Sequence, residues 1–270
     1  MKKRLDTILV ERGLFETRSQ AAAAVMAGEV LVDGQPVTKA GAQLRPDAEI
    51  AIRETKRFVS RGGLKLERAF GEFPIDVEGK AALDAGASTG GFTDCLLKHG
   101  ARKVIAVDVG YGQLDWKLRQ DPRVEILERT NVRNLEPGML SELPEFAVLD
   151  LSFISLKKII PAVIKCLRTR FGLVALIKPQ FEAGREGVGK GGVVRDPEVH
   201  RQVLTGIWDF AEELGLTVRG LSESGVRGPK GNVEYLIYMT GGLGQREARK
   251  RPPGRDSAVQ TVIRRALPRQ

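Results

Sequence analysis

The chain is poor in the residues that hold small secreted or metal-built proteins together. Among 270 residues there are two cysteines and two histidines. Cys95 and Cys166 each fall in an apolar helical pattern, which reads as core packing and argues against a disulfide framework. His99 and His200 have no metal-ligand neighbour in sequence, so no structural metal is expected. The longest apolar runs, 159–167 and 171–177, are flanked by Lys and Arg and fall well short of a bilayer span. The opening residues Met1-Lys-Lys-Arg-Leu-Asp6 are basic, but no apolar core follows, so they do not read as a signal peptide. These absences point to a cytoplasmic protein with no membrane role.

Hydrophobic content is 42%, enough for a globular core. The net charge of +9 is unevenly spread, because residues 243–270 hold eight Lys or Arg against two acids. A nucleic-acid site on the body must therefore be a local basic patch and not a generally positive surface. The tail, with Arg249-Lys-Arg-Pro-Pro-Gly-Arg255, reads as a disordered, solvated extension; weak nonspecific RNA contact is its sharper reading. The expected organisation is a small domain over 1–55, a linker over 56–61, a larger domain over 62–242 and the basic tail over 243–270.

The larger domain turns on Lys80-Ala-Ala-Leu-Asp-Ala-Gly-Ala-Ser-Thr-Gly-Gly-Phe-Thr93. This is a buried strand, a tight glycine turn and a helix start, and Lys103-Val-Ile-Ala-Val-Asp108 follows as a second strand ending in an acid. The pattern predicts the first β-α-β unit of a doubly wound α/β sheet, with a ligand beyond the carboxyl ends of the strands. Ser88 stands where the dinucleotide fingerprint needs its second glycine, so NAD is disfavoured. S-adenosylmethionine has no phosphate and needs no such contact. It needs a glycine turn under its methionine end and an acid for its ribose. The candidates are Asp84, Gly86, Ser88, Thr89, Gly90, Gly91, Phe92 and Asp108, with Asn131 for the adenine.

Residues 2 to 55 form a different module. Leu5, Ile8 and Leu9 make a helical stripe, and Thr17 caps a second helix that runs to Gly28. Glu29-Val-Leu-Val-Asp-Gly-Gln-Pro-Val37 is a strand, an Asp-Gly turn and a strand, and Ile50-Ala-Ile52 is another. The module resembles the S4 RNA-binding domain through Arg4-Leu-Asp6, Thr17-Arg-Ser-Gln-Ala21, Gly28-Glu-Val30, Val32-Asp-Gly34 and Val37-Thr-Lys39. The resemblance implies that Arg4, Arg18, Gln20 and Lys39 lie on an RNA-binding face. Arginine forks and helix N-termini are suited to phosphates.

Farther on, Phe146-Ala-Val-Leu-Asp150 and Phe171-Gly-Leu-Val-Ala-Leu-Ile-Lys178 read as strands ending in charge. Pro161 is expected to kink or delay the helix between them. Residues 183–194 read as a glycine-rich mobile loop, Asp196-Pro197 starts a long helix, and 216–226 and 233–239 supply the last strands. Methyl transfer to a sugar hydroxyl needs positioning and a group that steers or takes the hydroxyl proton. A lysine ordered by nearby acids suits that task, and Asp150 and Lys178 lie where catalytic groups of this fold collect.

The chain resembles the TlyA family, in which an S4 domain precedes an FtsJ-like methyltransferase domain. The matching stretches are Val59-Ser-Arg-Gly-Gly-Leu-Lys65, Leu83 to Asp94, Asp108-Val-Gly-Tyr-Gly-Gln-Leu114, Leu149-Asp-Leu-Ser-Phe-Ile-Ser-Leu156, Leu176-Ile-Lys-Pro-Gln-Phe-Glu182 and Gly231-Asn-Val-Glu-Tyr235. The resemblance implies a Rossmann-like seven-stranded class I domain after the S4 domain, and a Lys-Asp-Lys-Glu tetrad at Lys65, Asp150, Lys178 and Glu234. It implies S-adenosylmethionine as cofactor and 2′-O-methylation of cytidine in ribosomal RNA of one or both subunits (16S, 23S or both), with rRNA or ribosomal subunits as partner. No obligate protein partner is evident. Arg61, Arg133, Arg185 and Lys190 are further candidates for RNA contact, and Phe153 is a candidate to stack on a displaced nucleotide. Two rival readings are a membrane-active hemolysin, a label this family also carries, and an RNA-binding module with an inactive methyltransferase fold.

Overall fold

A computed structural model describes residues 2–45, 47–52, 57–184, 186–228, 230–242 and 254–267. The chain divides into two units, Met1–Lys56 and Arg57–Gln270.

The first unit packs two short helices on small sheets. Strand β1 (Lys3–Arg4) leads into helix α1 (Leu5–Glu11), followed by α2 (Arg18–Met26), β2 (Val30–Val32), β3 (Gln35–Pro36), β4 (Gln43–Leu44) and β5 (Ile50–Ile52). β3-β2-β5 form one antiparallel sheet, and β1 pairs with β4. Leu5 and Leu9 from α1 meet Val25, Val30 and Val32 in a small core. α2 begins with a capping box: Thr17 Oγ1 accepts from Gln20 N at 3.2 Å, and Gln20 Oε1 accepts from Thr17 N at 3.2 Å. That closes two otherwise unmet N–H groups.

The second unit is a three-layer α/β domain. In chain order it contains α3 (Gly62–Glu72), β6 (Ala81–Ala85), α4 (Gly91–Lys98), β7 (Lys103–Val107), α5 (Trp116–Arg119), β8 (Val124–Leu127), β9 (Phe146–Leu149), α6 (Ile160–Lys165) and β10 (Phe171–Ile177). Then come α7 (Pro179–Glu182), α8 (Pro197–Glu213), β11 (Thr217–Glu223), β12 (Tyr235–Gly241) and α9 (Arg255–Ala266). The seven strands lie in the order β11-β12-β10-β9-β6-β7-β8. All pairs are parallel except those of β12, which runs antiparallel to both neighbours. The side-chain period of two sorts residues onto two faces. Leu83, Leu173, Ile177 and Ile237 join the core under α6, α8 and α9; Ala82, Val174, Leu176 and Leu236 join the core under α3 and α4. The chain order reverses between β6 and β9, the place where such sheets open a crevice.

Pro161 acts as expected: a 3-10 turn over Leu156–Lys158 precedes α6, and the proline sits in the first turn of that helix. Phe58, read from sequence as linker, is 3% exposed and belongs to the core of the second unit, where a Cβ on Gly63 would fall 2.2 Å from its ring. Glu67 on α3 accepts from His99 Nε2 at 2.8 Å, and its carboxylate lies 3.8 Å from Cys95 Sγ. The pair clasps α3 to α4 and fixes the helix that carries Lys65.

The expectation of a disordered tail needs correction at residues 255–266. α9 buries Val259, Val262, Ile263 and Ala266 in the core beneath α8 and β11. These positions follow i, i+3, i+4, i+7, and burying each of the larger three is worth roughly 1.5–3 kcal/mol as an upper estimate. The basic Arg-Pro run 249–253 lies outside the described residues.

Candidate active site

Four strand or helix ends deliver four charged side chains to one place. Lys65 projects from the first turns of α3, Asp150 follows β9, Lys178 follows β10 and Glu234 immediately precedes β12. Sequence placed Glu234 just inside the last strand; the ladder instead begins at Tyr235, which pairs with Ile177. That antiparallel register sets Lys178 and Glu234 at the same end of the sheet. Lys65 Nζ lies 2.6 Å from Glu234 Oε2 and 3.7 Å from Asp150 Oδ2. Lys178 Nζ lies 2.6 Å from Asp150 Oδ1 and donates to Ser152 Oγ at 2.9 Å. Both 2.6 Å approaches are close ion pairs. All four side chains are buried or nearly so, Glu234 being 1% exposed. Two lysines and two carboxylates cancel, which makes such burial tolerable.

A cavity of about 300 Å³ opens beside this cluster, lined by the tetrad together with Ser60, Gly86, Ser88, Thr89, Gly91 and Phe92. Its floor is the glycine turn. Gly86 has φ +90°, and a Cβ there would lie 2.6 Å from Asp150 O. A Cβ at Gly91 would meet Ser60 Oγ at 2.2 Å and Gly63 N at 2.8 Å. These close approaches leave no room for side chains and keep backbone facing the cavity. Ser88, with φ +49°, is held in the left-handed region by its N–H donating to Asp108 Oδ2 at 2.8 Å. Asp108 Oδ1 accepts from Gly110 N at 2.7 Å, and a small neighbouring cavity runs past Ala87, Ser88, Asp108 and Gln113. A turn without phosphate-directed glycines, with an acid at the end of β7, fits a cofactor whose two ends are an amino acid and a ribosyl adenine.

Three sequence candidates take other positions. Asp84 is fully buried and lines neither cavity. Its Oδ2 accepts from Thr93 Oγ1 at 2.7 Å, its Oδ1 has no protein partner, and burial pushes its pKa up to about 7. It braces the turn from below. Asn131 is exposed and caps the turn 132–134 by accepting from Arg133 N at 3.0 Å. Gln20 is committed to the capping box of α2. Arg185 lies outside the described residues.

The other basic candidates fall in two sets. In the first unit Arg4 and Arg18 converge on the buried carboxylate of Asp6, at 2.7 and 3.2 Å from Oδ2. Their hydrogen bonds, Arg4's first, hold the Asp6 carboxyl far below the usual range. The Arg4 guanidinium lies 3.3 Å from the Cβ position of Gly41, and Asp6 N donates to Ala40 O, so the loop carrying exposed Lys39 meets the same edge. In the second unit Arg61, Arg133 and Lys190 are exposed. Phe153 is 89% exposed with φ +65°, its ring 5.0 Å from that of Phe181. It does not pack under a helix. Sequence reasoning missed Ser60, Ser152, Arg227 and Gly228, all of which line the cavity. The first two stood inside quoted motifs, beside residues with stronger chemistry.

Comparison with known proteins follows this geometry. A family model described as FtsJ-like methyltransferase matches residues 58–240, and an S4 domain model matches residues 3–50. YqxC of Bacillus subtilis is 50% identical over 240 residues, 88% of this chain and 85% of that protein. The 16S/23S rRNA (cytidine-2'-O)-methyltransferase TlyA of Mycobacterium tuberculosis is 47% identical over 240 residues, 88% of this chain and 90% of that protein. A solved Streptococcus thermophilus structure that carries a hemolysin name superposes with a TM-score of 0.73 at 44% identity, covering 98% of this chain and 95% of that one. No helix among the described residues is long and apolar enough to cross a membrane. With one family model spanning most of the chain and the other preceding it, the protein belongs to the FtsJ-like methyltransferases, in the TlyA group that carries an N-terminal S4 domain.

Proposed function

We propose that the protein methylates the ribose 2′-hydroxyl of cytidine in 16S or 23S ribosomal RNA, in the cytoplasm, with S-adenosylmethionine as donor. The supporting observation is the placement of Lys178 Nζ between Asp150 and Ser152 at the edge of the glycine-floored cavity. Backbone of Gly86 and Gly90–Gly91, with Ser88, Thr89, Phe92 and Asp108, would hold the cofactor, and Asp84 supports the turn from beneath. When bound, the cofactor supplies a methyl group on a sulfonium, whose departure leaves a neutral thioether.

The remaining work falls to the chain itself. An ammonium has three N–H directions and no lone pair. Asp150 and Ser152 occupy two of those on Lys178, and the third is left for the sugar hydroxyl. Along that direction the ammonium donates to the hydroxyl oxygen and steers it; with a lone pair in that direction instead, the amine takes the hydroxyl proton as the oxygen attacks. Glu234 holds Lys65, and Lys65 in turn lies against Asp150, so the acid between the lysines cannot swing away. Arg4, Arg18 and Lys39 in the S4 unit, and Arg61, Arg133 and Lys190 in the catalytic unit, contact RNA phosphates. Phe153, exposed and strained at the cavity's strand end, stacks on the nucleotide drawn out of its helix.

Tritiated cofactor incubated with ribosomal subunits tests the reading. Lys178→Ala is expected to lower the single-turnover rate by about 10³-fold, with cofactor affinity by calorimetry unchanged. Equal labelling by wild type and variant removes Lys178 from the chemistry. Absence of labelling by wild type on either subunit or on naked rRNA sinks the activity.

A further inference from the structure

α9 reaches back to the rim of the active-site cavity. Its C-terminal residue Ala266 accepts, through its carbonyl oxygen, from Arg227 Nη2 at 3.0 Å. Arg227 lines the cavity together with the tetrad. Its neighbour Gly228 lies so close to the tetrad that a Cβ there would sit 2.7 Å from Glu234 Oε1. The last turn of α9 is thus one hydrogen bond away from the loop that walls Glu234.

That turn carries Arg264 and Arg265, both exposed, while Val262, Ile263 and Ala266 are buried beneath them. Cations are favoured at this end of a helix, where carbonyls are unmet. The exposed acid of α9 is Asp256, at the opposite end and paired with Arg255, which also pairs with Asp209. Beside Arg227 the near carboxylate is Glu223, 3.9 Å away and partly buried. On the other side of the same loop stands exposed Lys230, whose Nζ is 3.5 Å from the Cβ position of Gly192. Asn232 stitches that region together, donating to Gly192 O at 2.8 Å and accepting from Val194 N at 3.0 Å. Exposed Lys190 is in the stitched turn. The loop of Arg227 thus joins the last turn of α9 on one side and the turn of Lys190 on the other, a basic rim beside the cavity in which Glu223 is the partly buried acid and Asp256 lies at the far end of α9.

We propose that this rim, and Arg264 and Arg265 in particular, binds the phosphodiester backbone of the RNA strand flanking the nucleotide to be methylated. It rests on the RNA-methyltransferase reading of the same cavity. The surface suits phosphates because guanidinium groups fork onto their oxygens, and a helix face anchored by its apolar side loses little on binding.

The test uses the full chain and deproteinised 16S and 23S rRNA, with binding measured by fluorescence anisotropy in the absence of cofactor. The double variant Arg264→Glu, Arg265→Glu is expected to weaken binding by roughly tenfold at about 100 mM salt. The slope of log Kd against log salt is expected to become shallower by about 1.4, near 0.7 for each lost phosphate contact on single-stranded RNA. Melting temperature and cofactor affinity stay at wild-type values. Unchanged RNA affinity and salt slope overturn the proposal. If charge reversal lowers the melting temperature, the Arg264→Lys, Arg265→Lys and Arg264→Gln, Arg265→Gln pairs decide: binding kept by lysine and lost by glutamine supports the rim, and equal binding by the two overturns it. Because binding is read without methyl transfer, the two readings fail separately. A wild type that needs these arginines for RNA but transfers no methyl group sinks only the chemistry; one that methylates RNA regardless of them sinks only the rim.

Discussion

The two units handle charge in opposite ways. In the S4 unit one buried acid, Asp6, sits beneath two arginines whose side chains stay 50% and 59% exposed. The cluster keeps a surplus positive charge facing water, which suits capture of a polyanion and should be sensitive to salt. In the catalytic unit two acids and two lysines are buried and cancel, with Lys65 and Lys178 at 11% and 9% side-chain exposure. That cluster is shielded from salt and offers no net field to attract RNA. It holds donor directions in fixed places instead, as an electrostatically preorganised site does. The two clusters thus draw on the same residue types, separated by burial and balance.

The sharpest way to break the contrast is to remove an acid from the balanced cluster. Asp150→Ala leaves two lysines facing each other without their shared partner. It is expected to destabilise the second unit by about 3 kcal/mol and to abolish methylation, read by urea unfolding and tritium transfer. Wild-type stability in that variant would mean the tetrad is not electrostatically coupled.

Two buried acids of opposite sign give the next effect. The Asp84 pKa is raised to about 7, first by burial, so its folded form retains a proton that the unfolded chain releases near 3.8. Stability contributed by Asp84 is therefore full below pH 4 and lost as pH rises to about 7. Asp6 is lowered, first by its hydrogen bond from Arg4, so its contribution is present above pH 4 and lost as pH falls further. Asp84→Asn should gain on wild type between pH 4 and 7, and Asp6→Asn should lose most at neutral pH. Thermal melts across pH would show parallel curves if either assignment is wrong.

The smallest expected effect is local. Thr17→Ala removes one half of the capping box of α2 and should cost the S4 unit about 1 kcal/mol, with RNA affinity lowered only as far as Arg18 loses its place. A loss of RNA binding greater than that of Arg18→Ala would mean the box itself contacts RNA.

Much of this was legible in the sequence for physical reasons. Asp150 and Lys178 end strongly apolar strands, and the glycines of 86–91 have positive φ or no room for a side chain, so their positions carry information on their own. Glu234 and Lys65 did not announce themselves; their meaning came from the family motif, because a charge near a strand or helix end is usually solvated. β1 and β4, two residues each, are too short to leave a period. α9 was masked by its basic, proline-rich approach, although Val259, Val262, Ile263 and Ala266 repeat at helical spacing. There the basic composition conceals the apolar period. Asn131, Arg227 and Gly228 depend on which loops meet, and no local pattern encodes that.

The antiparallel seating of β12 against β10 has a consequence for how this protein can diverge. Lys178 and Glu234 reach the same end of the sheet because Ile177 faces Tyr235 across the ladder, however many residues intervene. The loops of the connecting stretch, outside α8 and β11, are therefore free to grow, shrink or acquire new recognition segments without disturbing Lys178 and Glu234. A single-residue insertion inside the last strand, by contrast, would turn its alternate faces over and send the acid away from its lysine. Innovation in target choice is thus open along the excursion and closed along the hinge that bounds it.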